Sequence, residues 1–80
     1  MRNPERITEL LELLNRLCLR DSDLRFNQLI YILQSEYSSS NNGEGRVISK
    51  TEDGFTQTSF DMFNTEDDKF IEFLKNKLSN

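Results

Sequence analysis

Ile7, Leu10, Leu11, Leu14, Leu17 and Cys18 recur at spacings of three and four residues. That is the period of an amphipathic helix, and it fixes the first element of the chain. The flanks agree. Asn3 offers a side-chain oxygen to the free amides of a first turn, and Pro4 has the fixed φ that suits the first helical position. Glu12 and Arg16 form an i, i+4 pair on the outer side, worth roughly 0.3 kcal/mol. Leu13 falls at the edge of the stripe and Leu19 well outside it. Asp21-Ser22-Asp23 brings turn and capping chemistry, so the spacing predicts a helix over about residues 4–20.

A second stripe, Phe26, Leu29, Ile30, Leu33 and Tyr37, predicts a helix over about 23–37 that begins at Ser22 or Asp23. So short a linker between two helices implies an antiparallel hairpin, each helix burying its stripe against the other. Each large buried side chain contributes roughly 1.5–3 kcal/mol, most of it offset by the entropy of ordering the chain. After Tyr37 the pattern stops. "SSSNNGEG", residues 38–45, is small and polar and reads as a flexible loop. Residues 46–60, "RVISKTEDGFTQTSF", are rich in Val, Ile, Thr and Phe. Two readings stay open for them. One is a short β-hairpin with a two-residue turn at Asp53-Gly54, pairing Thr51 with Thr56 and Val47 with Phe60. The other is an irregular loop pinned by Val47, Ile48, Phe55 and Phe60.

"NTEDDKF", residues 64–70, raises the question of a metal or catalytic site, with Asp61 just upstream. Helix-start physics accounts for these acids. Thr65 is a good N-cap, and Asp68 sits where a capping-box acid belongs, although Glu or Gln is preferred there. Glu66 and Asp67 occupy the first turn, where the helix dipole favours negative charge by roughly 0.3–1 kcal/mol each. Phe70, Ile71, Phe73, Leu74 and Leu78 form the apolar face, and Lys75 and Lys77 lie in the last turns. Met62 and Phe63 are placed to pack back as a staple. The third helix is expected over about 65–78. The whole is a single, mainly α domain over residues 1–80: an antiparallel helical hairpin, a long loop or short β-hairpin over about 46–60, and a C-terminal helix.

Composition narrows the chemistry. The chain has no histidine and one cysteine, which removes the usual neutral-pH base, an internal disulfide and a cysteine-based zinc site. Cys18 lies on the apolar stripe with nothing to lower its pKa, so it reads as a small core residue. Three consecutive helical acids point about 100° apart and cannot converge on one ion, and the calcium-loop pattern is absent. No catalytic residue, cofactor or metal ligand is therefore expected. The net charge of −4 is carried by residues 51–80, while residues 1–50 are balanced. A phosphate-neutralising protein shows a basic excess, so direct nucleic-acid binding is disfavoured. The longest apolar run, Leu29–Leu33, is far too short for a membrane span, and the charged N-terminus has no signal-type stretch; a cytoplasmic protein is expected.

Arg25, Gln28 and Ile32 lie at i, i+3 and i+7 on the second helix and form a stripe beside the core stripe, with Tyr31 projecting further round. One reading is a strip that contacts a protein partner, since Arg, Tyr and an exposed aliphatic suit interface hot spots. The other is structural: Arg25 bridges to Asp67 or Asp68 and so orients the third helix, while Ile32 and Leu13 are covered by Val47, Ile48 or Phe60.

"NPERITELLELL", "DLRFNQLI" and "FDMFNTEDDKFIEFL" occur in this order and resemble a group of very small bacterial and phage proteins of uncharacterised function. The group pairs a Leu-rich first helix with a D-x-R-x-x-Q-L-I helix and ends in an F-x-x-E-D-[DE] helix start. The matching residues here are Asp23, Arg25, Gln28, Leu29 and Ile30, then Phe63, Glu66, Asp67 and Asp68. Residues 38–60 exceed the group's usual connection, so the resemblance implies nothing about them. It implies a helical fold and a bacterial or phage setting. The expected function is a non-enzymatic interaction or regulatory protein that uses Arg25, Gln28, Tyr31 and Ile32 against an unidentified protein partner. The alternative is an acidic phosphate mimic that occupies a nucleic-acid-binding protein; a carboxylate- or metal-dependent enzyme ranks last. Spare apolar edges on a small core are compatible with a homodimer.

Overall fold

A computed structural model describes residues 3–79. The elements run α1 (Glu5–Arg20), α2 (Phe26–Ser40), β1 (Arg46–Lys50), β2 (Thr56–Phe60) and α3 (Asp67–Ser79). The protein is mainly helical, with a two-stranded antiparallel sheet between α2 and α3.

The start of α1 follows its sequence signals. The Glu5 amide donates to Asn3 Oδ1 at 3.0 Å, so Asn3 satisfies one of the orphan amides beside Pro4. The helix closes at Asp21, whose amide donates to the Leu17 carbonyl at 3.1 Å. Its buried face, however, is rotated from the expected stripe. Leu13 and Leu17 are buried, Leu10, Leu14 and Cys18 are partly covered, and Ile7 and Leu11 stand 49% and 59% exposed. The physical reason is an ambiguity in the pattern. Leu10, Leu13, Leu14 and Leu17 also obey i, i+3, i+4, i+7, so five leucines in the eight positions 10–17 define two overlapping stripes. The neighbour decides between them, and that neighbour is chiefly α3: α1 makes more of its close backbone approaches to α3 than to α2.

The core joins one pair of side chains from each helix: Leu13 and Leu17, Leu29 and Leu33, Ile71 and Leu74. Tyr37 extends it. Its ring is buried and packs at 5.4 Å from Phe70 and 5.5 Å from Phe73, centroid to centroid. Polar pairs frame this core. Arg6 Nε donates to Asp67 Oδ2 at 2.6 Å, Lys75 Nζ meets Glu9 Oε1 at 2.6 Å, and Arg20 reaches the Lys77 carbonyl at 3.4 Å. Partner numbers rise together along α1 and α3, so the two helices run in the same sense. Lys77 also holds Glu36 of α2 at 2.6 Å.

The ends of α2 differ from expectation at both sides. It begins at Phe26 rather than near Asp23, because Asp21–Leu24 fold into a turn in which the Leu24 amide donates to the Asp21 carbonyl. Gln28 Oε1 then accepts from the Arg25 amide at 2.9 Å, one half of a capping box. The helix ends at Ser40 rather than Tyr37, so the segment expected as a flexible loop is partly helix and partly an ordered turn. Asn42 adopts φ +59°, and the Gly43 amide donates to the Ser38 carbonyl at 2.7 Å, the long bond of a Schellman cap. Asn41 Nδ2 adds a bond to the Tyr37 carbonyl at 2.8 Å. The stop signal was Asn42-Gly43, not the serines.

Residues 46–60 form the hairpin, and its register is one residue off the two-residue-turn expectation. Val47 faces Ser59 and Ile48 faces Thr58. The connection has three residues, Glu52-Asp53-Gly54, with the Gly54 amide on the Thr51 carbonyl, Gly54 at φ +83°, and the Thr51 amide on the Phe55 carbonyl. This is a type I turn closed by a left-handed glycine, the three-residue alternative to the turn expected from Asp-Gly. Neither strand is buried except at Phe60, whose ring meets Tyr31 of α2 edge-on at 5.4 Å.

α3 begins two residues after the expected cap. The first helical bond runs from the Phe70 amide to the Glu66 carbonyl. The Thr65 hydroxyl lies 3.4 Å from Glu44 Oε2 and from Met62 Sδ, and so ties the turn after α2 to the segment before α3 instead of capping the helix. Phe63 is 89% exposed and does not staple; Met62 alone packs back, beneath Gly45.

Candidate partner-binding surface on the second helix

Helix α2 presents its buried face, Leu29, Leu33 and Tyr37, to the core, and this leaves a flank directed away from it. On that flank Leu24, Asn27, Gln28, Tyr31 and Ile32 line a shallow, mainly apolar concavity of about 440 Å³. Three of the four residues expected to form a strip, Gln28, Tyr31 and Ile32, are brought together here. Tyr31 is 50% exposed, Gln28 is exposed and Ile32 is half-buried. Arg25 stands at the head of the helix, exposed, one turn before Gln28. Leu24 and Asn27 were not singled out from the sequence. The signal was present, since Leu24, Gln28 and Tyr31 stand at i, i+4 and i+7. Phe60 closes one side of the strip through its contact with the Tyr31 ring.

The structural role expected for Arg25 belongs to another residue. Asp67 is engaged by Arg6, and the pair is only partly exposed, with side chains 25% and 38% accessible. Arg6 lies on the α1 face that meets α3, whereas Arg25 sits at the head of α2. Among the described residues no ion pair engages the Arg25 guanidinium; its backbone is bonded at both ends, the amide donating to Gln28 Oε1 and the carbonyl accepting from the Leu29 amide. The expected cover for Leu13 is corrected: Leu13 enters the helical core, and Val47 and Ile48 are exposed, while Phe60 is half-buried against Tyr31 beside Ile32.

The acids near residue 67 are dispersed. Asp67 pairs with Arg6, Asp61 Oδ1 accepts from the Phe63 amide at 3.1 Å, and Asp68 is exposed. Among the described residues no group of three or more acids and cysteines is assembled as a metal site. A larger, polar groove of about 810 Å³ lies between the end of α2 and α3. Its charged lining includes Glu36 and Lys77, which neutralise one another. The titration behaviour with a clear cause lies elsewhere. Burial, and then the nearby Glu44 carboxylate, push the Tyr37 phenol from 10.0 up to about 12. That oxygen and Ser38 Oγ are buried, and neither has a partner in hydrogen-bond geometry among the described residues. Lys75 is raised by its bond to Glu9 and the charge of that carboxylate.

The α2 flank therefore offers amides, one phenol, aliphatic carbon and a nearby guanidinium, which are groups for contact and hydrogen bonding. Comparison with protein-family models, with curated proteins and with solved structures finds no match to this chain. Among the described residues no helix is long and apolar enough to cross a membrane.

Proposed function

We propose that this chain is a small, non-enzymatic interaction protein that docks a protein partner through the α2 flank, with Arg25, Gln28, Tyr31 and Ile32 as the contact residues. The observation that carries the reading is the pairing of Asp67 with Arg6. It leaves the Arg25 guanidinium without an ionic partner among the described residues, beside a half-exposed tyrosine and an apolar depression. Arg and Tyr are enriched where interfaces concentrate their energy, because each combines apolar area with directed hydrogen bonding. Gln28 adds an amide whose carbonyl is already fixed by the Arg25 backbone, so its orientation is set before a partner arrives.

The resemblance to small bacterial and phage proteins gives the setting, and a bacterial host lysate is the place to look for the partner. The test is affinity capture with the wild-type chain, Arg25→Ala and Tyr31→Ala, together with urea melts of all three. Arg25→Ala is expected to keep wild-type stability within about 0.5 kcal/mol, Tyr31→Ala to lose roughly 0.5–1.5 kcal/mol with its edge contact to Phe60, and both to lose the captured partner. Capture that survives both substitutions but disappears in moderate salt overturns the reading and points to the acidic C-terminal third instead.

A further inference from the structure

The hairpin carries a second surface, independent of the α2 flank. In an antiparallel pair, residues alternate between those that bond to the partner strand and those whose amide and carbonyl point outward. The Thr51 amide on the Phe55 carbonyl and the Asp61 amide on the Gly45 carbonyl place the odd-numbered residues of the hairpin on the inner side. The even-numbered residues Thr56, Thr58 and Phe60 of β2 therefore direct their backbone groups outward. No backbone bond to another element engages them among the described residues. Thr56 to Ser59 are exposed throughout.

The two free edges of this sheet are unlike. β1, "RVISK", begins and ends in a cation, Arg46 and Lys50. β2, "TQTSF", has no charge, no proline and β-branched residues at alternate positions. Charges on an edge strand repel an added strand, and their absence leaves the edge open to one.

We propose that β2 pairs with β2 of a second copy of this chain, giving a four-stranded antiparallel sheet about a two-fold axis at Thr58. The charge pattern selects this arrangement. Pairing β1 with β1 about Ile48 sets Arg46 against Lys50 of the other copy, two like charges directly opposed. Pairing β2 with β2 sets Thr58 against Thr58 and Thr56 against Phe60 of the other copy, with no opposed charge. The outer edges of the dimer are then two β1 strands, each guarded by Arg46 and Lys50, so the assembly closes at two copies. Phe60 points to α2, so both α2 helices lie on the same side of the sheet. The pairing also gives the hairpin the added strands that a two-stranded sheet needs for stability in water.

The test is light scattering of the full chain over micromolar to millimolar concentration, with Thr58→Val and Thr58→Lys. Wild type and Thr58→Val are expected to dimerise, while Thr58→Lys, which opposes two ammonium groups across the axis, stays monomeric with an unchanged circular dichroism spectrum. If Thr58→Lys fails to fold, chemical synthesis with an N-methyl group at residue 58 removes the outward donor alone and should give a folded monomer. In a mixed-isotope sample, an intermolecular Hα–Hα NOE is expected between Gln57 and Ser59 of the other copy, the non-bonded pair of this register. A wild-type chain that is monomeric at every concentration overturns the proposal. So does a dimer that lacks this NOE, or one that survives both the lysine and the N-methyl group.

Discussion

Leu17, Leu33 and Leu74 are fully enclosed, whereas every residue of β1 and all of β2 except Phe60 face solvent. The helical body and the hairpin belong to one short chain, yet different physics holds each. The body is built by burial: six aliphatic side chains from three helices, one tyrosine and a frame of ion pairs. The hairpin is built by local backbone chemistry: a left-handed glycine at its tip, a second at its base, and one aromatic contact to α2. Burial is tolerant of which helical face supplies it, provided that some face does. Turn chemistry is intolerant at single positions and indifferent at the rest.

That contrast is broken most directly by truncating one side chain in each region. Leu17→Ala should lower unfolding free energy in urea by roughly 2–5 kcal/mol, since it removes apolar contacts and leaves a cavity among α1, α2 and α3. Ile48→Ala, on an exposed strand, should change it by less than about 0.5 kcal/mol. Equal losses would mean that the hairpin is packed against something in solution and that the two regions share one core.

The next largest effect lies at the joint between them. Gly45 has φ +79°, and an added Cβ would stand 2.9 Å from the Asp61 carbonyl oxygen and 2.9 Å from Met62 Sδ. The sulfur can move, but the backbone oxygen belongs to the partner of the last hairpin bond. Gly45→Ala should therefore cost about 1–3 kcal/mol, through left-handed strain and the lost approach. Gly43→Ala, in open space at a similar φ, should cost about 1 kcal/mol from backbone strain alone. If melting temperatures of the two variants coincide, the close packing at Gly45 contributes nothing and the hairpin is hinged freely on the body.

Arg6 and Arg25 sharpen the contrast within the helices. Arg6→Ala leaves the partly shielded Asp67 carboxylate at the start of α3 without its cation and should cost on the order of 1 kcal/mol in low salt, less as salt rises. Arg25→Ala should cost almost nothing. Reversal of this order in a thermal melt would restore Arg25 as the residue that fixes the third helix.

The sequence made the element types legible because each has a local cause. Asn3-Pro4 opened α1, the acids at 66–68 opened α3, and Asp53-Gly54 marked the hairpin tip. What was not legible depended on partners distant in the chain. The rotation of α1 onto Leu13 requires knowing that α3 lies beside it. The choice of Arg6 over Arg25 for Asp67 requires the same knowledge, because charge type alone does not say which cation is near. The hairpin register turned on one torsional choice at Gly54, which moved every cross-strand pair by one residue. For the candidate surface, spacing identified Gln28, Tyr31 and Ile32 as neighbours, and the fold added Leu24 and Asn27.

The smallest effect at neutral pH should come from Tyr37→Phe, and its pH dependence is the more informative reading. The phenol oxygen is buried with the Glu44 carboxylate nearby but outside good hydrogen-bond geometry, so its removal takes away a poorly satisfied polar group and keeps the ring against Phe70 and Phe73. Stability near pH 7 should be unchanged or slightly higher. Burial and the Glu44 carboxylate raise the phenol from 10.0 to about 12 in the folded chain. Between those values the unfolded chain releases a proton that the folded chain keeps, so stability is fully retained below pH 10 and falls as pH rises toward 12. Lys75, also raised, loses its contribution in the same direction as pH passes its ordinary 10.5, and this supplies a background common to both proteins. Stability measured from pH 9 to 12 should therefore fall more steeply in the wild type than in Tyr37→Phe. Parallel curves would mean that water reaches Tyr37, and that the seal between the end of α2 and the aromatic pair of α3 opens as readily as the hairpin does.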